Sequence, residues 1–196
     1  MKEIMIVSTN AHKIEEFKQM LEPLGFVVKS LLDADEKFDI VEDGTTFQEN
    51  AAIKADFIRN QCNIMAIADD SGLEIDALNK EPGIHSARYL GHDTDYTYKN
   101  TVILERMKGV TNRSARFVSA IALAIPNQET KIFTGVFEGE IHTCIAGGNG
   151  FGYDPIFYVP ECGCTSAELS PEEKNAISHR GKALEQVLAY LKEAGL

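Results

Sequence analysis

Asp69 and Asp70 stand side by side after the apolar run Ile64 to Ala68, and Ser71 and Gly72 follow them. Two carboxylates about 4 Å apart repel by roughly 4 kcal/mol at an effective dielectric near 20, so such a pair takes up a cation or a proton. A divalent metal would satisfy it, and so would a turn in which one aspartate caps the chain before Gly72. Glu42 and Asp43 add further oxygens in an acidic stretch. Oxygen donors of this kind suit a hard cation. The cations Lys13, Lys174, His179 and Arg180 suit phosphates, and Phe151, flanked by glycines, offers a flat face for a base. Singly, each has a plain structural reading. Together they are the parts needed to bind a metal-chelated nucleoside polyphosphate.

Those residues have to be positioned by an α/β fold. Ile4 to Val7 is an apolar run of the kind a buried strand shows, and Ser8-Thr9-Asn10 supplies residues that cap helices. Ile14, Phe17, Leu21 and Leu24 recur at helical spacing up to Gly25. A strand, a polar loop and a helix start make an anion site from outward-pointing N–H groups, and Lys13 falls in the first turn, on the surface or against a phosphate. Phe26 to Leu32 reads as a second strand, followed by the acidic stretch Asp33 to Gly44. Thr46-Phe47-Gln48-Glu49 is a capping box opening a helix with an apolar face of Phe47, Ala51, Ala55 and Ile58, while Asn50 and Lys54 share another face.

The run Ile64 to Ala68 is expected to end in a loop at the acidic pair, because ligands in open α/β sheets gather at the carboxyl ends of strands. Leu73 to Ala77 alternates like a second, half-buried strand, and Thr94 to Lys108 reads as a helix. Arg116 to Ile125 and Lys131 to Ile141 form a predicted antiparallel hairpin, hence a mixed sheet. Gly147 to Pro155 is rich in glycine, with Phe151 and Asp154 exposed to a ligand or folded into a turn. Ser170-Pro171-Glu172-Glu173 caps a helix that carries Lys174, and a last helix runs from about His179 with Leu184, Val187, Leu188 and Leu191 inward.

With 196 residues and 44% hydrophobic content the chain can build one sizeable core or one domain with two lobes. A formal net charge of −11 argues against nucleic acid or an anionic membrane as partner, since such surfaces need extended basic patches. No run approaches membrane-spanning length, and the N-terminus lacks a signal-peptide core. Cys62, Cys144, Cys162 and Cys164 show no metal-finger spacing, which leads us to expect a reduced, cytoplasmic protein; Cys162-Gly163-Cys164 reads as plain loop residues, or as a redox pair or soft-metal site.

Five blocks carry a resemblance. Ser8-Thr9-Asn10-Ala11-His12-Lys13, Asp69-Asp70-Ser71-Gly72-Leu73, Pro82-Gly83-Ile84-His85-Ser86-Ala87-Arg88-Tyr89, Gly150-Phe151-Gly152-Tyr153-Asp154-Pro155 and Ser178-His179-Arg180 resemble, in order over essentially the whole chain, the signatures of the inosine/xanthosine triphosphate pyrophosphatase family. The resemblance implies a long mixed β-sheet flanked by helices, one domain over residues 1–196 with two lobes and a nucleotide cleft between them. It implies Mg2+-dependent hydrolysis of dITP, ITP and XTP to the monophosphate and pyrophosphate by a homodimer, with Asp70 as general base and Glu42 and Asp70 as metal ligands. Ser8, Thr9, Asn10, Ala11, His12, Lys13, Lys54, Ser71 and Lys174 would surround phosphates and sugar; Phe151, Gly152, Tyr153, Asp154, His179 and Arg180 would take the base, and Asp69 would support Asp70.

Base choice has a physical root. Hypoxanthine and xanthine carry a 6-oxo acceptor for Arg180 or His179, whereas adenine would leave buried donors unpaired at a cost of about 1–3 kcal/mol. The chain departs from the family pattern at His85, where an aromatic is usual, at Ser8, where Thr is commoner, and at Cys162-Gly163-Cys164, where the family has a Gly-Lys pair. Asp43 could stand in for Glu42. Two rival functions are a nucleotide-binding sensor without turnover and a metal-dependent phosphatase acting on monophosphates.

Overall fold

A computed structural model of the chain describes residues 2–34 and 37–196; part of the expected acidic stretch, residues 35 and 36, lies outside the described residues. In chain order the elements are β1 (Lys2–Ile6), α1 (Ala11–Leu21), β2 (Phe26–Ser30), α2 (Phe47–Cys62), β3 (Met65–Ile75), α3 (Tyr96–Arg106), β4 (Ser114–Ala124), β5 (Lys131–Ile141), β6 (Phe157–Val159), β7 (Cys164–Thr165), α4 (Pro171–Ile177) and α5 (His179–Glu193). The strands form one sheet in the order β2-β1-β3-β4-β5-β6-β7. β1 pairs in parallel with β2 and β3, and β5 to β7 pair antiparallel, so the sheet is mixed and flanked by helices as expected.

The chain divides into two compact units, with β3, β4 and β5 each passing from one into the other. The first comprises Met1–Asp70, Ser119–Gly135 and Arg180–Leu196. Its core joins Ile4 and Ile6 of β1 to Ile14, Phe17 and Leu21 of α1, Ile121 and Leu123 of β4, and Ala183, Leu184 and Val187 of α5. α1 starts where Asn10 accepts from the His12 and Lys13 N–H groups and stops before a 3-10 turn at Glu22–Leu24, where Pro23 removes a donor and Gly25 adopts φ 84°. α2 is capped by Thr46, which accepts from the Glu49 N–H. The Glu49 carboxylate accepts from the N–H and hydroxyl of Thr45, one residue before the cap.

The second unit comprises Ser71–Val118 and Val136–His179. Leu73 and Ile75 of β3, Ile103 and Met107 around the end of α3, Phe117 of β4, and Phe157 and Val159 of β6 form its core. A full capping box at Ser170 and Glu173 starts α4, with Pro171 at its first position.

Two expectations change. β2 ends at Ser30 instead of Leu32, because Asp33 bonds the Ser30 backbone and hydroxyl and draws the chain into a 3-10 turn. More consequentially, β3 does not stop at the acidic pair: Met65–Ile75 is one strand that runs through Asp69, Asp70, Ser71 and Gly72. An extended backbone tolerates the carboxylates because each finds partners on a different helix. Side chains alternate between faces along a strand, so the two neighbours are parted by geometry.

Candidate active site

Asp69 is 3% exposed, and its carboxylate lies 2.6 Å from the Lys13 Nζ of α1 and 3.3 Å from the Arg180 Nη2 of α5. The Ser119 hydroxyl of β4 donates to its other oxygen at 2.5 Å. Arg180 is held from its far side by Glu16, 2.5 Å away. Burial by itself would raise the Asp69 pKa, but Arg180 and Lys13 outweigh it and hold the carboxyl well below the usual 3.8. Lys13 moves the opposite way from the simple ion-pair expectation. Burial lowers its ammonium from 10.5; Asp69 opposes this, while Arg180 and Lys54 add to it. One carboxylate thus serves two cations, of which Arg180 has a second partner in Glu16.

Asp70 is placed differently. It faces α2, where the Asn50 Nδ2 donates to it at 3.2 Å and the Lys54 Nζ approaches to 3.5 Å. Lys54 also reaches Glu42 at 2.9 Å and donates to the Asp69 carbonyl at 3.1 Å. Burial pushes the Asp70 carboxyl up from 3.8; Lys54 and Lys13 oppose that and the charge of Asp69 reinforces it. A raised carboxyl is a better proton acceptor than an ordinary one, which is what a general base requires. The Asp70 and Asp69 pKa values are thus driven apart by their surroundings, the pattern by which neighbouring acids acquire distinct roles.

Glu42 and Asp70 converge on one cationic nitrogen, that of Lys54. Their side chains can therefore reach a single positive centre, and their oxygens suit a hard ion; Mg2+ is commonly held by one or two carboxylates together with substrate phosphates and water. The residues present fit a magnesium ion in that sense. Among the described residues, no group of three or more His, Cys, Asp or Glu side chains could hold a metal by itself.

At the start of α1 the Ser8 hydroxyl accepts from the Asn10 N–H, and Asn10 takes the N–H groups of His12 and Lys13. Thr9 and His12 are exposed, and Ala11 opens the helix. Within the second unit, Ser71 is half-buried on β3. The Asp154 carboxylate accepts from the Phe151 N–H at 2.8 Å, from the Ser166 hydroxyl at 3.0 Å and from the Lys174 Nζ at 2.6 Å. Asp154 thus braces its own loop. Gly150, at φ 70°, lies so close to that carboxylate that a Cβ would collide with it. Lys174 Nζ also stands 5.0 Å from the Phe151 ring centre, a cation over an aromatic face.

The Tyr153 hydroxyl donates to the Ser86 carbonyl at 2.7 Å, and Gly152 accepts from Asn100 through its carbonyl. His179 is buried and stacks on Phe117 with ring centres 4.9 Å apart. Lys13, Lys54, Asp70 and Arg180 therefore gather in the first unit, and Phe151 to Asp154, Lys174 and His179 in the second.

The profile of the Ham1 family matches residues 4–190. This chain belongs to the Ham1 family. It is 48% identical over 196 residues to the dITP/XTP pyrophosphatase of Bacillus licheniformis, covering 99% of this chain and 100% of that one. It is 46% identical to the protein of the same name from Staphylococcus aureus, covering 97% of each. The Ham1 protein structure from Staphylococcus aureus superposes with a TM-score of 0.91 at 44% identity, over 98% of this chain and 100% of the other. A dITP/XTP pyrophosphatase structure from Mycobacterium abscessus gives a TM-score of 0.76 at 40% identity, covering 95% and 98%.

Three residues that contact Asp69, Asp70 or Arg180 were not among the expected site residues: Glu16, Asn50 and Ser119. Asn50 carried a signal. It shares a helix face with Lys54, four residues on, which reads equally well as an exposed stripe; the structure instead buries Asn50 to 1% exposure, with both ends of its amide bonded. Glu16 follows the first motif block, but neither it nor Ser119 showed its partner, which lies 164 and 50 residues away respectively.

Proposed function

We propose that this chain hydrolyses the triphosphates of non-standard purine nucleosides, dITP, ITP and XTP, to the monophosphate and pyrophosphate, removing them from the nucleotide pool. The observation that carries the reading is the convergence of Glu42 and Asp70 on one cation, with the pKa of Asp70 itself raised by burial. The names of the relatives agree with it. Seven charged side chains interact around Asp69 and Asp70. Glu16, Glu42, Asp69 and Asp70 face Lys13, Lys54 and Arg180, one negative charge in excess, which suits a further cation.

In this reading Asp70 accepts a proton from the attacking water, whose oxygen bonds to phosphorus as the bond between the α- and β-phosphates breaks and pyrophosphate departs. Mg2+, held by Glu42 and Asp70, would supply charge neutralisation on the phosphate oxygens. Lys13, Lys54 and Lys174, with Ser8 to His12 and Ser71, bind the triphosphate and sugar. Phe151 stacks on the base within the loop of Gly152, Tyr153 and Asp154, and the 6-oxo group takes donors from His179 and from Arg180, whose guanidinium is oriented by Glu16 and Asp69. We assign the active form to a cytoplasmic homodimer. All four cysteines are free, and among the described residues no helix is long and apolar enough to cross a membrane.

The deciding experiment incubates purified protein with Mg2+ and each of dITP, ITP, XTP, GTP and ATP, detecting pyrophosphate and orthophosphate separately. Pyrophosphate from the first three is expected. Release of orthophosphate would overturn the assigned reaction, and tight dITP binding without product would replace it with a sensor function.

A further inference from the structure

Asn50 stands apart from the other polar residues of α2. It is 1% exposed, lies on the same buried side as Phe47 and Ala51, and each end of its amide is used. Its Oδ1 accepts from the Gly44 N–H at 2.9 Å and its Nδ2 donates to the Asp70 Oδ2 at 3.2 Å. Those two bonds fix which way the amide faces, since an amide turned over would set its oxygen against a carboxylate and its NH2 against an N–H. Gly44 is two residues beyond Glu42, and Asp70 is on β3, so one side chain ties the segment that carries one carboxylate to the strand that carries the other.

Gly44 makes this close approach possible. A Cβ there would stand 2.6 Å from the Asn50 Oδ1 and 2.8 Å from the Glu49 Cβ, so any side chain would push the segment off the helix. The Thr45 N–H and hydroxyl, both bonded to Glu49, hold the neighbouring residue to the same turn of α2. The path from Glu42 to Asp70 through Gly44 and Asn50 therefore has little slack.

We infer that Asn50 is a positioning residue that sets the spacing and orientation of Glu42 and Asp70 toward a divalent cation. Its amide bonds the Asp70 carboxylate and the Gly44 N–H, so it acts through the placement of the two carboxylates. A small displacement of an oxygen donor costs affinity because Mg2+ tolerates little deviation from its geometry, and residues behind metal ligands typically contribute 10- to 100-fold to affinity or activity. The inference rests on the assignment of Glu42 and Asp70 as metal ligands.

The test uses Mn2+ as a paramagnetic probe, titrated by electron paramagnetic resonance into the full chain without nucleotide, with dITP kinetics at saturating Mg2+ alongside. Asn50→Ala is expected to weaken Mn2+ binding about tenfold and to lower kcat tenfold or more, with KM for dITP within about threefold. Gly44→Ala leaves Asn50 intact and displaces the segment, and is expected to weaken Mn2+ in the same way. Should Asn50→Ala fail to fold by circular dichroism, Gly44→Ala decides alone. Wild-type Mn2+ affinity in folded variants, with at most a lower melting temperature, would overturn the inference. Asp70→Asn separates the two levels: an inactive Asp70→Asn beside wild-type-like Asn50→Ala and Gly44→Ala overturns the positioning role only, whereas an active Asp70→Asn overturns the assignment of Asp70 and the inference with it.

Discussion

The two units each bury a carboxylate against a lysine, and they use it in opposite ways. In the first, Asp69 is shared between Lys13 and Arg180 while Asp70, beside it, keeps a raised pKa and a lysine at 3.5 Å. In the second, Asp154 accepts from the Lys174 ammonium of α4, the Ser166 hydroxyl and the backbone N–H of Phe151 in its own loop. The first arrangement manages charge that can be exchanged for other charge. The second manages shape, holding Phe151 and its glycines in one conformation. In the proposed hydrolysis, proton transfer and phosphate charge fall to the former and recognition of the base to the latter.

The largest effect expected from breaking this contrast is on turnover. Asp70→Asn keeps size and hydrogen bonding and removes the base, so kcat should fall by roughly 10²- to 10⁴-fold, the range of general-base contributions, with the melting curve little changed. Turnover near wild type would remove Asp70 from that role. Asp69→Ala should act on stability instead. It leaves Lys13 and Arg180 buried with one counter-charge fewer, and breaking buried pairs in this way costs about 3–5 kcal/mol, to be read from urea unfolding at neutral pH.

The same aspartate gives the contrast a pH axis. Its pKa is depressed in the folded protein, so its ionised form adds stability above the unfolded carboxylate value, and that contribution drains away as pH falls through the folded value. The gap in unfolding free energy between wild type and Asp69→Ala should therefore narrow below about pH 4. A gap independent of pH would mean that Asp69 is not ionised in the fold.

Smaller effects belong to the second unit. Phe151→Ala should raise KM for dITP by roughly 5- to 150-fold, since base stacking on an aromatic contributes about 1–3 kcal/mol, and should leave kcat within a few-fold. An unchanged rate and KM would favour a phosphatase with no base platform. Asp154→Asn keeps the brace to Ser166 and to the Phe151 N–H while weakening the pair with Lys174, so a rise in KM smaller than that of Phe151→Ala is expected in the same assay.

Much of this was legible in the sequence where the signal is local. The caps at Asn10, Thr46 and Ser170 and the apolar spacing of α1 and α5 are read within a few residues, and Asp70 from a short motif. What could not be read was long-range pairing. The continuity of β3 through two aspartates contradicts local propensity and depends on helices α1, α2 and α5 supplying the partners. The bracing of the loop by Asp154 was not readable for a related reason: Lys174 and Ser166, two of its partners, are 20 and 12 residues away.

The partners of Asp69 also set an order of events in folding. Ser119 is 50 residues away from it and Arg180 is 111, while Arg180 meets Glu16 across 164 residues. Pairings of such separation form late, because the chain loses closure entropy before the contact rewards it. Until α5 docks, Asp69 and Glu16 lack the guanidinium that joins them, and Lys13 has a carboxylate not yet fixed in place. Assembly of the charge cluster therefore coincides with closure of the first unit's three separate chain segments.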